Sequence, residues 1–203
     1  LAKKQPRLIV HHHDLVPPFT FMADNVLGNL RAALERKGFS LRLATVLRDA
    51  FSLAKKYVLY NYSLQVEANS QWSSPDWEGK TAHTKNISFD FREKAVQFPN
   101  QQTRYFSLAH DDKRALDLAS RSLKRFDIVG TTARMSSFIK RIHRALGWPL
   151  VPAQHAVEPT KTHPALLQAE ASRDAVEKAW WADKKLYEEA QRLEAEQSSH
   201  SAA

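Results

Sequence analysis

Leu41-Arg42-Leu43-Ala44-Thr45-Val46-Leu47-Arg48-Asp49 is the stretch that decides how this chain is read. Its aliphatic and β-branched run predicts a strand over Leu41–Leu47, and the spacing of apolar residues beyond it predicts a helix from Ala50 to about Ser63. A strand that runs straight into a helix presents the free N–H groups of the first turn and the positive end of the helix dipole to an anion. Arg48 adds a planar, permanently charged fork that suits a phosphate. Pairing of Arg48 with Asp49 or another carboxylate is the plainer alternative, and this segment alone does not choose.

Outward from that stretch the chain alternates strands and helices. Arg7–His13 reads as a strand ending in three histidines, and Pro17-Pro18 breaks the chain after it. Phe21–Lys37 carries Val26, Leu27, Leu30 and Leu34 at helical spacing, with Gly38 as its stop. Glu67–Lys85 is a long polar loop holding Trp72 and Trp77, either a ligand-stacking surface or a small satellite core. Asn100 to about Leu123 is helical, in two pieces broken near His110-Asp111-Asp112. Arg125–Gly130 is a third strand, and Thr132–Leu146 a basic helix closed by Gly147 and Pro149. A connecting loop follows to His163. Ala165 to about Gln197 reads as one long helix packed through Trp180, Trp181, Leu186, Tyr187 and Leu193.

This order predicts an α/β fold of three layers, a mainly parallel sheet flanked by helices. Residues 1–163 would form the core, and residues 164–203 a C-terminal helix packed on it with a frayed tail. In such sheets ligands gather at the carboxyl ends of strands. His11 to His13, Arg48-Asp49 and Gly130-Thr131-Thr132 all fall at predicted strand ends, so three polar clusters are expected on one edge.

Composition narrows the classes. A hydrophobic content of 43% with 10% aromatics is that of a folded domain rather than a disordered chain. With no cysteine there is neither a disulfide framework nor a thiolate metal site. The net charge is +8, and Lys113–Arg144 holds nine basic residues against Asp117 and Asp127, a local +7. Such a face attracts polyanions, or is simply solvated. No recognised nucleic-acid motif accompanies it, and the Gly-x-x-x-x-Gly-Lys-Ser/Thr loop of phosphate-binding kinases is nowhere in the sequence.

Five segments, in order and spacing, resemble the Golgi-type carbohydrate (glycan) sulfotransferases. Thr45-Val46-Leu47-Arg48-Asp49 resembles their strand before the 3′-phosphate site, and Ile9-Val10-His11-His12-His13 resembles their histidine-bearing strand. Asn100-Gln101-Gln102-Thr103-Arg104 resembles an Asn-x-Gln-x-Arg segment, and Phe126-Asp127-Ile128-Val129-Gly130 with Leu146-Gly147-Trp148 resembles a later strand–helix unit. Asp183-Lys184-Lys185-Leu186-Tyr187-Glu188-Glu189-Ala190 matches an Asp-x-x-Leu-Tyr-x-x-Ala helix.

The resemblance implies a P-loop-like sulfotransferase fold and transfer of a sulfuryl group from 3′-phosphoadenosine-5′-phosphosulfate (PAPS) to a carbohydrate hydroxyl, with no metal. It implies a glycan acceptor, anionic or neutral, a nucleotide donor and no nucleic-acid partner. It also implies a Golgi lumen setting, anchored by a segment outside this sequence, with which the sequons at Asn61 and Asn86 agree. The donor would be held by Arg48, Ser52, Lys56, Thr131 and Arg134. His11, Asn100, Gln102 and Arg104 would meet the acceptor, and His12 or His13 would serve as base. Two departures stand out: Ala50 replaces the usual proline, and Lys56 stands about where the usual serine would fall. The loop that grips the 5′-phosphosulfate would lie upstream of Leu1, so the sequence reads as N-terminally truncated. A degenerate, non-catalytic relative is thus one alternative, and a polyanion- or nucleic-acid-binding module another.

The residues suit the chemistry. In-line sulfuryl transfer, like phosphoryl transfer, depends on positioning and charge stabilisation, and the acceptor hydroxyl needs a base near neutral pH. Strand alternation sends His11 and His13 to one face and His12 to the other. His11 and His13 could instead begin a zinc site, but no helical His-x-x-x-His pair or thiolate completes one. Thr131 or Thr132 could simply cap the helix that follows, and Asn100 could cap a surface-exposed first turn.

Overall fold

The computed structural model of the chain describes residues 28–58, 90–97, 99–107, 109–149 and 169–200. The histidine strand with His11, His12 and His13, the Trp72/Trp77 loop and both sequons lie outside the described residues. The rest is a mainly helical α/β structure with a small two-stranded parallel sheet packed against helices. In chain order the elements are α1 (Gly28–Glu35), β1 (Ala44–Leu47), α2 (50–58), α3 (Phe91–Gln97), α4 (Gln101–Tyr105), α5 (Asp112–Leu123), β2 (Ile128–Thr131), a 3₁₀ turn (Thr132–Arg134), α6 (Met135–Leu146), α7 (Arg173–Ala179) and α8 (Trp181–His200). Among the described residues no helix is long and apolar enough to cross a membrane.

The chain divides into two compact units. The first contains the sheet with α1, α4, α5, α6 and nearly all of α8. β1 and β2 pair in parallel, Ala44 with Ile128 through Leu47 with Thr131. Successive strand residues turn their backbone groups to opposite sides, and Ile128 N–H donates to Leu43 O at 3.0 Å, toward β1. Val129 therefore faces away from β1, and side chains meet it there. Its N–H donates to Gln197 Oε1 at 2.9 Å, and its carbonyl accepts from Arg141 Nη1 at 2.8 Å. An unpaired strand edge invites another strand, and here α6 and α8 close it.

Local chemistry accounts for the element ends. Gly38 (φ +76) and Gly147 (φ +59) occupy the left-handed position that ends a helix without strain. Phe39 N–H reaches back to Leu34 O and Trp148 N–H to His143 O, so both predicted stops are Schellman turns. The break near residue 110 is present too, because the Asp111 carboxylate accepts from Arg114 N–H at 2.8 Å and starts α5. The third strand begins later than its composition suggests. Arg125 and Phe126 donate to Ser122 O and Leu123 O, closing the last turn of α5, so β2 starts only at Ile128. The single long helix expected from Ala165 is interrupted at Ser172 and again at Trp180. Trp181, expected in the packing, is exposed, whereas Trp180 and Leu186 are fully buried.

The core of the first unit gathers Leu47, Phe106, Leu123, Phe126, Val129 and Leu186 around small Ala119 and Ala190. Phe106 and Phe126 meet edge to face at 5.9 Å. α6 lies close on β2: a Cβ on Gly130 would stand 2.3 Å from Phe138 Cδ2. Asp127, just before β2, accepts from Leu43 N–H at 2.8 Å and pairs with Arg31 and Arg42, tying α1 to the sheet entrance. The second unit packs α2, α3 and α7 around Phe51, Val58, Phe91, Val176 and Trp180. There the Trp180 indole N–H donates to Ala95 O at 2.6 Å.

Candidate functional site

The candidate site in the first unit starts from a helix that does not cap itself. α4 has five residues, and Asn100 at its N-cap position is left-handed (φ 58, ψ 43) with no side-chain bond to its own helix. Its first N–H groups still need acceptors. Asp183, in the first turn of α8, supplies them. Its Oδ2 accepts from Gln102 N–H at 3.0 Å, and its Oδ1 accepts from Thr103 N–H and Thr103 Oγ1, both at 2.6 Å. Asn100 returns the arrangement: its Oδ1 accepts from Ala182 N–H at 3.1 Å and Asp183 N–H at 3.2 Å. Each helix start is thus capped by a side chain of the other. Asn100 Nδ2 also donates to Asp112 at 2.9 Å, and Arg104 faces the same carboxylate at 3.5 Å.

Gln102 carries this arrangement to the sheet. Its Oε1 accepts from Arg48 N–H at 2.8 Å, and its Nε2 donates to Arg48 O at 2.7 Å. One amide side chain thereby satisfies both backbone groups of Arg48, as a neighbouring strand would. Arg48 follows Leu47, which pairs with Thr131, so Arg48 and Thr132 leave the sheet at the same edge. The Arg48 side chain is half-buried, and its guanidinium has no partner among the described residues. The carboxyl ends of β1 and β2 thus lie side by side, with Arg48 and Thr132 just past them; the third expected cluster, His11–His13, lies outside the described residues.

Thr131 is buried and gives its hydroxyl to Glu194 Oε2 at 2.9 Å rather than to the following 3₁₀ turn. Arg134 is exposed, without a partner among the described residues. Arg104 is exposed beside Asp112, and Asn100, expected on an exposed first turn, is fully buried. Ser52 is half-buried and Lys56 exposed on α2 of the second unit. Arg141 is held somewhat below the usual guanidinium range by partial burial, opposed by the nearby Glu194 carboxylate.

Asp183 and Glu194 lie outside the residues expected at the site, yet the sequence carries a signal for them. Positions 183, 186, 190 and 194 share one face of α8, and Leu186 and Ala190 make it a buried one. Carboxylates on such a stripe need dedicated donors.

Burial raises the Asp183 pKa, partly opposed by the Thr103 hydroxyl and the Thr103 and Gln102 N–H groups, with Asp112 adding to the rise. The folded state therefore holds this proton more tightly than the unfolded chain. The associated stabilisation is complete below the unfolded pKa of about 3.9 and is lost as pH rises through the folded value. The stability advantage of the wild type over Asp183→Asn is expected to narrow as pH rises from about 4. Melting temperatures of both proteins across acid and neutral pH check this, and a widening gap would reverse the sign.

The arrangement can hold an anion at Arg48 on a fixed backbone beside the end of a parallel strand pair. Compared with protein-family models, curated proteins and solved structures, the chain matches none.

Proposed function

We propose that the protein is a carbohydrate sulfotransferase that moves the sulfuryl group of PAPS to a sugar hydroxyl. One observation carries the reading: the cationic side chain of Arg48 stands just past the end of β1 on a backbone whose N–H and carbonyl are both held by the Gln102 amide, with no counter-ion among the described residues. In this reading its guanidinium takes the donor's 3′-phosphate by a bidentate, charge-assisted contact. Two of the sulfotransferase-like segments, Asn100–Arg104 and Asp183–Ala190, bind one another and then Arg48, which supports treating them as parts of one site. His12 or His13 is the proposed base that accepts the hydroxyl proton as the oxygen attacks sulfur, with the bisphosphate leaving on the opposite side. The fuller three-layer parallel sheet of this reading would grow from the β1 side, since side chains close the β2 edge.

The test is calorimetric binding of adenosine 3′,5′-bisphosphate against adenosine 5′-monophosphate, with wild type and Arg48→Ala. The bisphosphate is expected to bind more tightly, and Arg48→Ala to remove roughly tenfold or more of that preference. Equal binding of the two nucleotides by wild type, or a preference that survives in Arg48→Ala, would refute the phosphate role.

A further inference from the structure

We infer that Gln102 is a positioning residue for Arg48, and that Asp183 and Thr103 set Gln102 for this task. The inference rests on the phosphate reading of Arg48. A long, solvated side chain recognises a ligand well only when the backbone carrying it is fixed, because each unfixed degree of freedom must be ordered on binding. Arg48 lies beyond the last ladder pair of β1, where the sheet no longer holds it. Gln102 replaces the missing strand with two bonds of 2.8 and 2.7 Å to the Arg48 N–H and carbonyl.

The Gln102 amide suits this use because it offers one acceptor and one donor on the same plane. A glutamate there would set a second acceptor against the Arg48 carbonyl, and an alanine would leave both groups without a partner. Gln102 is fixed in turn through its own N–H by Asp183 Oδ2, while Thr103 gives Asp183 Oδ1 both its N–H and its hydroxyl. The path from α8 to the guanidinium is continuous: Asp183, the α4 start, the Gln102 side chain, the Arg48 backbone. Nothing in it touches the ligand except Arg48.

The experiment measures the ratio of affinities for adenosine 3′,5′-bisphosphate and adenosine 5′-monophosphate in wild type, Gln102→Ala, Arg48→Ala and the double variant. Gln102→Glu is the second single variant, should the alanine protein fail to fold. Hydrogen exchange of the Arg48 amide is followed in the same proteins without nucleotide. Gln102→Ala is expected to speed Arg48 exchange and to lower the bisphosphate preference by roughly tenfold, leaving monophosphate affinity unchanged. The double variant is expected to match Arg48→Ala, since Gln102 acts only through that side chain. A merely structural role would weaken both nucleotides alike and add to the loss in Arg48→Ala, and that result would overturn the inference. So would an unprotected Arg48 amide in wild type, or full preference in Gln102→Ala when Arg48→Ala has lost it. A wild type with no bisphosphate preference would instead refute the phosphate reading, and the inference with it.

Discussion

Asp183→Ala is expected to lower the melting temperature by on the order of 10 °C. The carboxylate receives three donors, Gln102 N–H, Thr103 N–H and Thr103 Oγ1. Thr103 and Asp183 are fully buried. A buried donor left without a partner costs about 1–3 kcal/mol, and water has little access to replace the missing oxygens. The loss also removes the cap that Asp183 places on the start of α4, a helix too short to persist by itself. Asp183→Asn keeps one acceptor oxygen but turns an NH₂ toward one of the donors, so an intermediate loss is expected. Thermal unfolding of the two variants beside wild type decides the matter. A loss below about 1 kcal/mol for the alanine protein would mean that the capping arrangement contributes little.

Gly130→Ala should be comparably damaging for a different reason, overcrowding. The added methyl would stand 2.3 Å from Phe138 Cδ2, 2.6 Å from Cγ and 2.8 Å from Cβ. Because the clash reaches the root of the phenylalanine, rotation of the ring alone does not relieve it. Phe138 is buried, and β2 is buried along its whole length, so either the helix or the strand must move. Overpacking of this kind costs about 1–3 kcal/mol, occasionally more. A double-mutant cycle with Phe138→Ala checks the mechanism. The phenylalanine truncation alone opens a cavity, but combined with Gly130→Ala it should lose less than the two single changes together. Strict additivity would place the damage elsewhere.

What could be read from the sequence were the features fixed by neighbours in the chain. Gly38 and Gly147 announced their helix ends because only the left-handed position explains a glycine there. The break near His110-Asp111-Asp112 was legible in the same local way, and the apolar runs before Arg48 and Gly130 marked two strands that do pair in parallel. Features set by distant partners were hidden. Asn100 and Asp183 are 83 residues apart, and neither identity reveals that each caps the other's helix. The late start of β2 depends on α5 claiming Arg125 and Phe126 for its final turn, a competition that composition does not rank. Arg48 was visible as a cation after a strand, but its grip by Gln102 was not, since a glutamine two residues after an asparagine reads equally well as part of an ordinary helix start.

The mutual capping of α4 and α8 also orders events in time. A five-residue helix cannot nucleate alone, and its acceptors arrive only with residue 183. During synthesis, the segment around Gln102 must therefore wait unstructured until more than eighty further residues have emerged. The Arg48 backbone waits with it. The Arg48 end of the sheet is then among the last parts to mature, and its completion reports that α8 has docked.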